Sequence, residues 1–441
     1  MKEEKAIVID NFQRGVAENE FLGHSVMSGF SLDKTGILKK GRSLSSSSLS
    51  GHIDDGEYIV IEDSGLIVTT TTSGDKNYLY SSTAKLTSYG NSNYGPGDVE
   101  LYHNKYYISC SGGYGAEFDP STDTFDNTKF GIASNQFTNL LTAKDDIMYV
   151  FSGRYVSSYD GTLFSANICT LPTNVINTVA VIEYGDIILM ASTTNKGITI
   201  FSWDRQSNFA DIWAEIQDTG LIGMKQVNNV VYILCSGYGN LYASNGSQVK
   251  RILSFGSYIR NTRAKRSNNI FAGVGFGLQN TKKNIFQSFE NKLLFGPFLN
   301  NFSGNSRTYP LGVYSYDIDT GVVSQEFSDD EVFSLTQYDF GGITCISVPD
   351  ASTSSLRVSY YKENVSNSSL NSRKYYSYQT YANPTGSAID GNQLGMYESQ
   401  MFNVGNTTKK KTFNRLKIQL NKEIIGSISV YYRTSSIADW T

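Results

Sequence analysis

The sequence predicts an all-β fold made by repeating one four-stranded unit around a central axis, and three observations carry that prediction. First, an aromatic residue followed by a turn residue recurs at steps of about forty residues. The copies are Tyr80-Ser81, Phe118-Asp119, Tyr159-Asp160, Trp203-Asp204, Tyr242 with Ala243-Ser244, Tyr316-Asp317 and Tyr361-Lys362. Second, a Ser-Gly pair stands eight residues before the turn residue in four copies, at Ser73-Gly74, Ser111-Gly112, Ser152-Gly153 and Ser236-Gly237. Third, the middle of the chain sustains no apolar pattern of helical period. A unit of this length made of short strands buries its faces only by stacking on copies of itself, as the blade of a β-propeller does.

In chain order, residues 1–50 are expected to form an N-terminal arm and residues 51–371 a seven-bladed β-propeller. Six and eight blades are the alternative counts, because the first and last repeats are the least regular. Within the blades, Lys105-Tyr-Tyr-Ile-Ser-Cys110 then Glu117-Phe118, Asp146-Ile-Met-Tyr-Val-Phe151 then Tyr155-Val-Ser-Ser-Tyr159, and Val230-Val-Tyr-Ile-Leu-Cys235 then Asn240-Leu-Tyr242 are paired β-rich runs across Gly-containing turns. The step from Ser244 to Asp317 is far longer than the rest and holds one blade plus an insertion at about 256–284. Residues 372–396 read as a linker and residues 397–441 as a C-terminal β-sandwich element, in which Leu416, Ile418 and Leu420 alternate with polar neighbours. Its strands are too few to close a sandwich alone, so the element docks on the propeller or the polypeptide continues past Thr441.

With 40 Gly, 30 Tyr and 7 Pro the composition suits short strands and tight turns, and a net charge of -4 exerts no global pull toward nucleic acid. The first ten residues lack an apolar core of signal-peptide length and no stretch has the length of a membrane span, so synthesis in a cytoplasm and no membrane span are expected. Cys110, Cys169, Cys235 and Cys345 are expected as buried free thiols, since Cys110 and Cys235 occupy equivalent positions in non-adjacent blades. His24, His52 and His103 have no second histidine or cysteine at ligand spacing. Asp119, Asp123 and Asp126 come nearest to a calcium set but lack a glycine-bent loop, and the other carboxylate clusters read as blade turns. No cofactor, no metal and no enzymatic activity are therefore expected.

The local charge is more informative, because between Asp218 and Glu290 the chain has no acidic residue. The same window holds Lys225, Lys250 and Arg251, and then Arg260, Arg263, Lys265, Arg266, Lys282 and Lys283 around the insertion. The last six are the candidate contact residues. They suit the phosphate backbone of DNA or an acidic protein surface, and charge alone does not choose between these.

Three resemblances add to this reading. Glu117-Phe-Asp-Pro-Ser-Thr-Asp-Thr-Phe125 and Tyr314-Ser-Tyr-Asp-Ile-Asp-Thr-Gly321 resemble outer hairpins of kelch-like propellers, and Ser158-Tyr-Asp-Gly-Thr-Leu-Phe164 resembles a shortened Asp-box of sialidase-type propellers. Ile9-Asp-Asn-Phe-Gln-Arg-Gly15, Ser28-Gly-Phe-Ser-Leu-Asp33 through Gly41-Arg42, and the closing Thr412-Phe-Asn-Arg-Leu-Lys-Ile-Gln-Leu420 with Gly426 to Trp440 resemble the two ends of tailed-bacteriophage virion proteins. That last resemblance implies a structural role in a tail, neck or nozzle. Its expected partners are other virion proteins, copies of itself in a cyclic oligomer, and packaged DNA by non-specific contact. The alternative expectation is a carbohydrate-binding or receptor-binding propeller, with Tyr114, Tyr238 and Trp203 stacking on sugar rings.

Overall fold

The computed structural model describes residues 96–110, 114–122, 124–131, 138–218, 220–235, 239–254, 285–289, 291–296 and 312–328, with the backbone of further strands between His24 and Ser399. Five four-stranded antiparallel sheets follow one another along the chain. Blade I comprises Pro96–Tyr102, Lys105–Cys110, Tyr114–Asp119 and Thr124–Gly131, and blade II comprises Thr138–Thr142, Met148–Ser152, Tyr155–Tyr159 and Phe164–Thr170. Blade III comprises Val175–Tyr184, Ile187–Thr194, Gly197–Trp203 and Asp211–Ile216, and blade IV comprises Leu221–Val227, Val230–Cys235, Asn240–Ser244 and Val249–Ser254. Blade V comprises Phe286–Phe289, Lys292–Phe295, Gly312–Asp317 and Val323–Ser328. The first strand of each blade neighbours the first strand of the next, so the sheets fan from a common axis in the manner of a β-propeller, first strand innermost and fourth outermost.

The strands are short because turns of strict chemistry end them. His103 and Asn104, at φ 49° and 60°, are both left-handed, as a two-residue type I′ turn between Tyr102 and Lys105 requires. Asn228, at φ 54°, takes the left-handed conformation at the first position of the turn after Val227 in blade IV.

The second strands read as nearly continuous apolar runs because both of their faces are buried. In blade II, Met148 and Val150 pack toward blade I beside Tyr102, Tyr107 and Phe130, while Tyr149 and Phe151 pack toward blade III beside Ile188, Met190 and Trp203. Blade IV repeats the alternation, with Val231 and Ile233 against blade III and Tyr232 and Leu234 against blade V. Cys169 and Cys235 are buried free thiols within these layers, as expected. Burial pushes the Cys169 thiol up to about 11, so it behaves as a small apolar group.

An innermost strand is also an edge strand, and half of its N–H groups find no partner in its own sheet. Carboxylates from the preceding blade meet this need between blades I and II. Asp98 accepts from Leu140 N at 2.8 Å and from its own neighbour Val99 N at 2.8 Å, and Glu100 accepts from Thr142 N at 2.9 Å. Between blades II and III the donor is a side chain, with Asn139 Nδ2 giving its hydrogen to Thr178 O at 2.9 Å.

A five-stranded sheet orders Phe298–Asn300, Phe340–Ser347, Leu356–Glu363, Ser372–Tyr378 and Leu44–Ser46. The stretch expected as a linker thus opens with a strand, and the expected arm places Leu44–Ser46 beside it. His24–Ser28 pairs antiparallel with Met396–Ser399. Residues 400–441, which hold nearly all of the expected β-sandwich element, lie outside the described residues.

Removing the Asp98 carboxylate leaves Leu140 N–H buried without an acceptor, so Asp98→Ala is expected to lower unfolding free energy by about 2–3 kcal/mol. Urea denaturation measures this, and a variant as stable as the parent contradicts the inner-edge assignment.

Candidate functional site

A meander of four strands sends its first and third turns to one face and its second turn, with the connection to the next blade, to the other. The first face carries the tips of the outer hairpins, and there the repeated turn residue has a defined job. Asp160 Oδ1 accepts from Thr162 N at 2.8 Å, Thr162 Oγ1 at 2.7 Å and Leu163 N at 2.7 Å. Asp119 Oδ1 accepts from Ser121 N and Oγ at 2.9 and 2.6 Å, Asp204 Oδ1 from Gln206 N and Ser207 N at 3.0 and 2.8 Å, and Asp317 Oδ1 from Thr320 N and Oγ1 at 2.9 and 2.8 Å. In blade IV the turn acceptor is Asn245, one residue after the expected Ser244, which still belongs to the strand, and it accepts from Ser247 Oγ at 2.8 Å. The Asp-box-like turn at Asp160 is therefore one of a series of carboxylate or carboxamide turns, each closed by a serine or threonine. Asp119 is committed to this turn and to Lys105 Nζ at 3.5 Å. Asp123 lies outside the described residues.

In blades II and III the aromatic before the turn is a wedge between blades. Trp203 is 1% exposed, donates Nε1–H to Ser207 O at 2.6 Å, and meets the Tyr149 ring of blade II edge-on at 5.3 Å. It is closed to a sugar ring, which corrects the expectation that it stacks on carbohydrate. Tyr159 packs on Tyr107 of blade I at 5.5 Å in the same way. Tyr114 is described by its backbone alone and Tyr238 lies outside the described residues.

Charged groups lock the same layers. Glu117 accepts from Lys105 Nζ at 2.8 Å and Tyr107 OH at 2.7 Å, and pairs with Lys129 Nζ at 3.1 Å. Burial works against its ionisation, but these donors together hold it below the usual carboxylate range. Arg205 of blade III joins Asp145 of blade II at 3.4 Å to Glu183 of its own blade at 3.2 Å. His103 Nε2 lies 3.1 and 3.0 Å from Asp146 Oδ1 and Oδ2, and the His103 ring stacks on Tyr102 at 3.9 Å. Sequence reasoning missed this pair, which the hairpin tips of two successive blades bring together. Aligning the repeats would have found it, since both residues belong to first-turn tips. Among the described residues no cluster of histidine, cysteine and carboxylate is placed to hold a metal, and no helix is long and apolar enough to cross a membrane.

The three described basic residues of the acid-free window do not share one surface. Lys225 lies on the inner strand of blade IV, where burial lowers its basicity and Glu100, on the inner strand of blade I, partly restores it across the axis. Lys250 and Arg251 stand exposed on the outermost strand of blade IV. Arg260, Arg263, Lys265, Arg266, Lys282 and Lys283 lie outside the described residues. Their segment joins Val249–Ser254 to Phe286–Phe289, so both of its ends belong to the face of second turns and blade connections.

No family model matches the chain, and no curated protein matches it. Among solved structures it is similar to a chain of the mitotic checkpoint complex, at 10% identity over 78% of this chain and 95% of that one, with a TM-score of 0.49. It is similar to YCF48 bound to a D1 peptide at 8% identity, over 77% and 95%, with a TM-score of 0.49. The Cps50 (Swd1) β-propeller domain of Myceliophteria thermophila follows at 8% identity, over 77% and 100%, with a TM-score of 0.45.

The turn carboxylates make stability depend on pH. Bonds from Leu163 N and Thr162 lower Asp160 to about 2, Ser121 lowers Asp119, and Ser207 with Gln206 lowers Asp204. Each folded value lies below the unfolded one near 3.9, so the stabilisation is full above about pH 4 and is lost as pH falls toward about 2. Scanning calorimetry is expected to show Tm falling through that window, less steeply in Asp160→Ala. A Tm flat or rising from pH 4 to 2 contradicts the turn assignment.

Proposed function

We propose that the chain is a structural virion protein of a tailed bacteriophage, a tail, neck or nozzle component that acts in assembly as a seven-bladed disc. The observation that carries this reading is the pairing of the chain's two terminal regions. His24–Ser28 and Leu44–Ser46 flank or fall within the segments that resemble the start of such proteins, and they pair with Met396–Ser399 and Ser372–Tyr378 just before the segment that resembles their end. Blades I to V need two further units to make seven. The sheet containing Phe340–Ser347, next to Val60–Asp63, and the strands from Val60–Asp63 to Lys85–Tyr89 supply candidates for both.

A disc locked by inter-blade bonds transmits load without changing shape, which suits a component whose work is to hold neighbours in register. Its partners in this reading are other virion proteins and further copies of itself in a cyclic oligomer. In this reading packaged DNA is a further partner, contacted non-specifically through its phosphates by Arg260, Arg263, Lys265, Arg266, Lys282 and Lys283.

Immunogold labelling of intact particles from the phage that encodes this chain tests the assignment, with label expected at the tail or neck. Particles free of the protein overturn it. For the DNA contact, replacing Arg260, Arg263, Lys265 and Arg266 with serine is expected to lower the salt slope of duplex binding by up to about 3.6. An unchanged slope removes DNA from the list of partners and leaves the virion assignment standing.

A further inference from the structure

The outermost strands of blades III and IV carry opposite charges on adjacent edges. Asp211–Ile216 presents Asp211 and Glu215 to solvent, and Val249–Ser254 presents Lys250 and Arg251. Asp211 pairs with Ser202, and Lys250 with Ala243, two residues before the respective turn residues Asp204 and Asn245, so Asp211 and Lys250 hold equivalent places in neighbouring blades. The four charges form no ion pair with any described residue, although Arg205, Lys105 and Lys129 elsewhere on the disc are all paired. Beside the acidic strip Phe209 and Ile212 stand 60% and 61% exposed, among the most exposed large apolar side chains of the described residues. Trp213, beside Gly246 of blade IV, joins the two edges.

We propose that this edge is a contact between two copies of the chain, related by a two-fold axis that passes between blades III and IV. A two-fold rotation about an axis parallel to the outer strands sets the acidic strip of each copy against the basic strip of the other and takes Phe209 and Ile212 of both into the contact. The same contact covers exposed outer-strand edges that would otherwise template disordered association. The partner is a second copy because one edge holds both halves of the complementarity, whereas a partner of single charge matches only half of it. The inference goes beyond the virion reading and does not rest on it.

Sedimentation velocity tests this with a charge swap. The parent chain is expected to dimerise, and to do so less at 0.5 M than at about 0.05 M salt, because the exposed strips are screened. Asp211→Arg with Glu215→Arg gives a chain basic on both strips, and Lys250→Glu with Arg251→Glu gives one acidic on both. Each is expected to be monomeric alone, and the two to form a mixed dimer when combined. Ile212→Arg, which spares the strips, is expected to weaken the parent dimer at least tenfold. Far-UV circular dichroism matching the parent shows that each variant is folded, and for an unfolded one Lys250→Ser with Arg251→Ser takes its place with the same expected loss. A monomeric parent, variants that associate like the parent, or a swapped pair that fails to combine overturns the contact. None of these outcomes bears on labelling of the virion, so failure here and failure of that assignment are separable.

Discussion

The unpaired inner edge of each first strand is the constraint around which the described blades are organised. A strand placed against the axis has a neighbour on one side only, so the N–H groups on its other side need partners from outside their own sheet. Blade I answers for blade II by sending Asp98 and Glu100 across to Leu140 and Thr142. A carboxylate that accepts from a backbone N–H makes a charge-assisted bond, stronger than a neutral one and directional enough to fix the offset of one blade on the next. The cost appears at Glu100, where burial raises the carboxyl and the bond from Thr142 N, with the charge of Lys225, opposes the rise.

Once the inner strands are in register, the remaining layers follow from strand alternation. Side chains of period two leave each sheet on both faces, so Met148 and Tyr149 serve different interfaces although they are adjacent in sequence. In blades II and III the aromatic at the end of the third strand closes the interface from outside, and the Asp turn after it sets the angle at which that aromatic enters. Trp203 shows the two acting together. Its indole donates to Ser207 O, and Ser207 N and Oγ donate in turn to Asp204.

Much of this was legible in the sequence, for a physical reason. The pair of aromatic and turn residue is a local device that repeats wherever a third strand must end, and Ser152-Gly153 marks the preceding turn because Gly153 adopts φ 58°. What escaped was non-local. His103 and Asp146 meet because two hairpin tips are stacked, and Leu44–Ser46 joins Ser372–Tyr378 although neither the serine-rich strand nor its partner has an apolar stripe to announce it. The acid-free window looked like one patch in sequence, but successive strands of a blade run from axis to rim, so Lys225 and Arg251 end on opposite sides of the same sheet. Trp203 was misread as a ligand platform because composition does not distinguish an aromatic that packs from one that binds.

Hydrogen exchange read by mass spectrometry on peptides spanning Thr138–Thr142 tests the inner-edge account most directly. The two amides in question, Leu140 and Thr142, have no sheet partner and depend on Asp98 and Glu100. The account predicts protection at neutral pH comparable to that of the paired strand Met148–Ser152, and selective loss of protection at Leu140 in Asp98→Ala while Met148–Ser152 stays protected. Rapid exchange at Leu140 and Thr142 in the parent chain, or protection unchanged by the substitution, would contradict it.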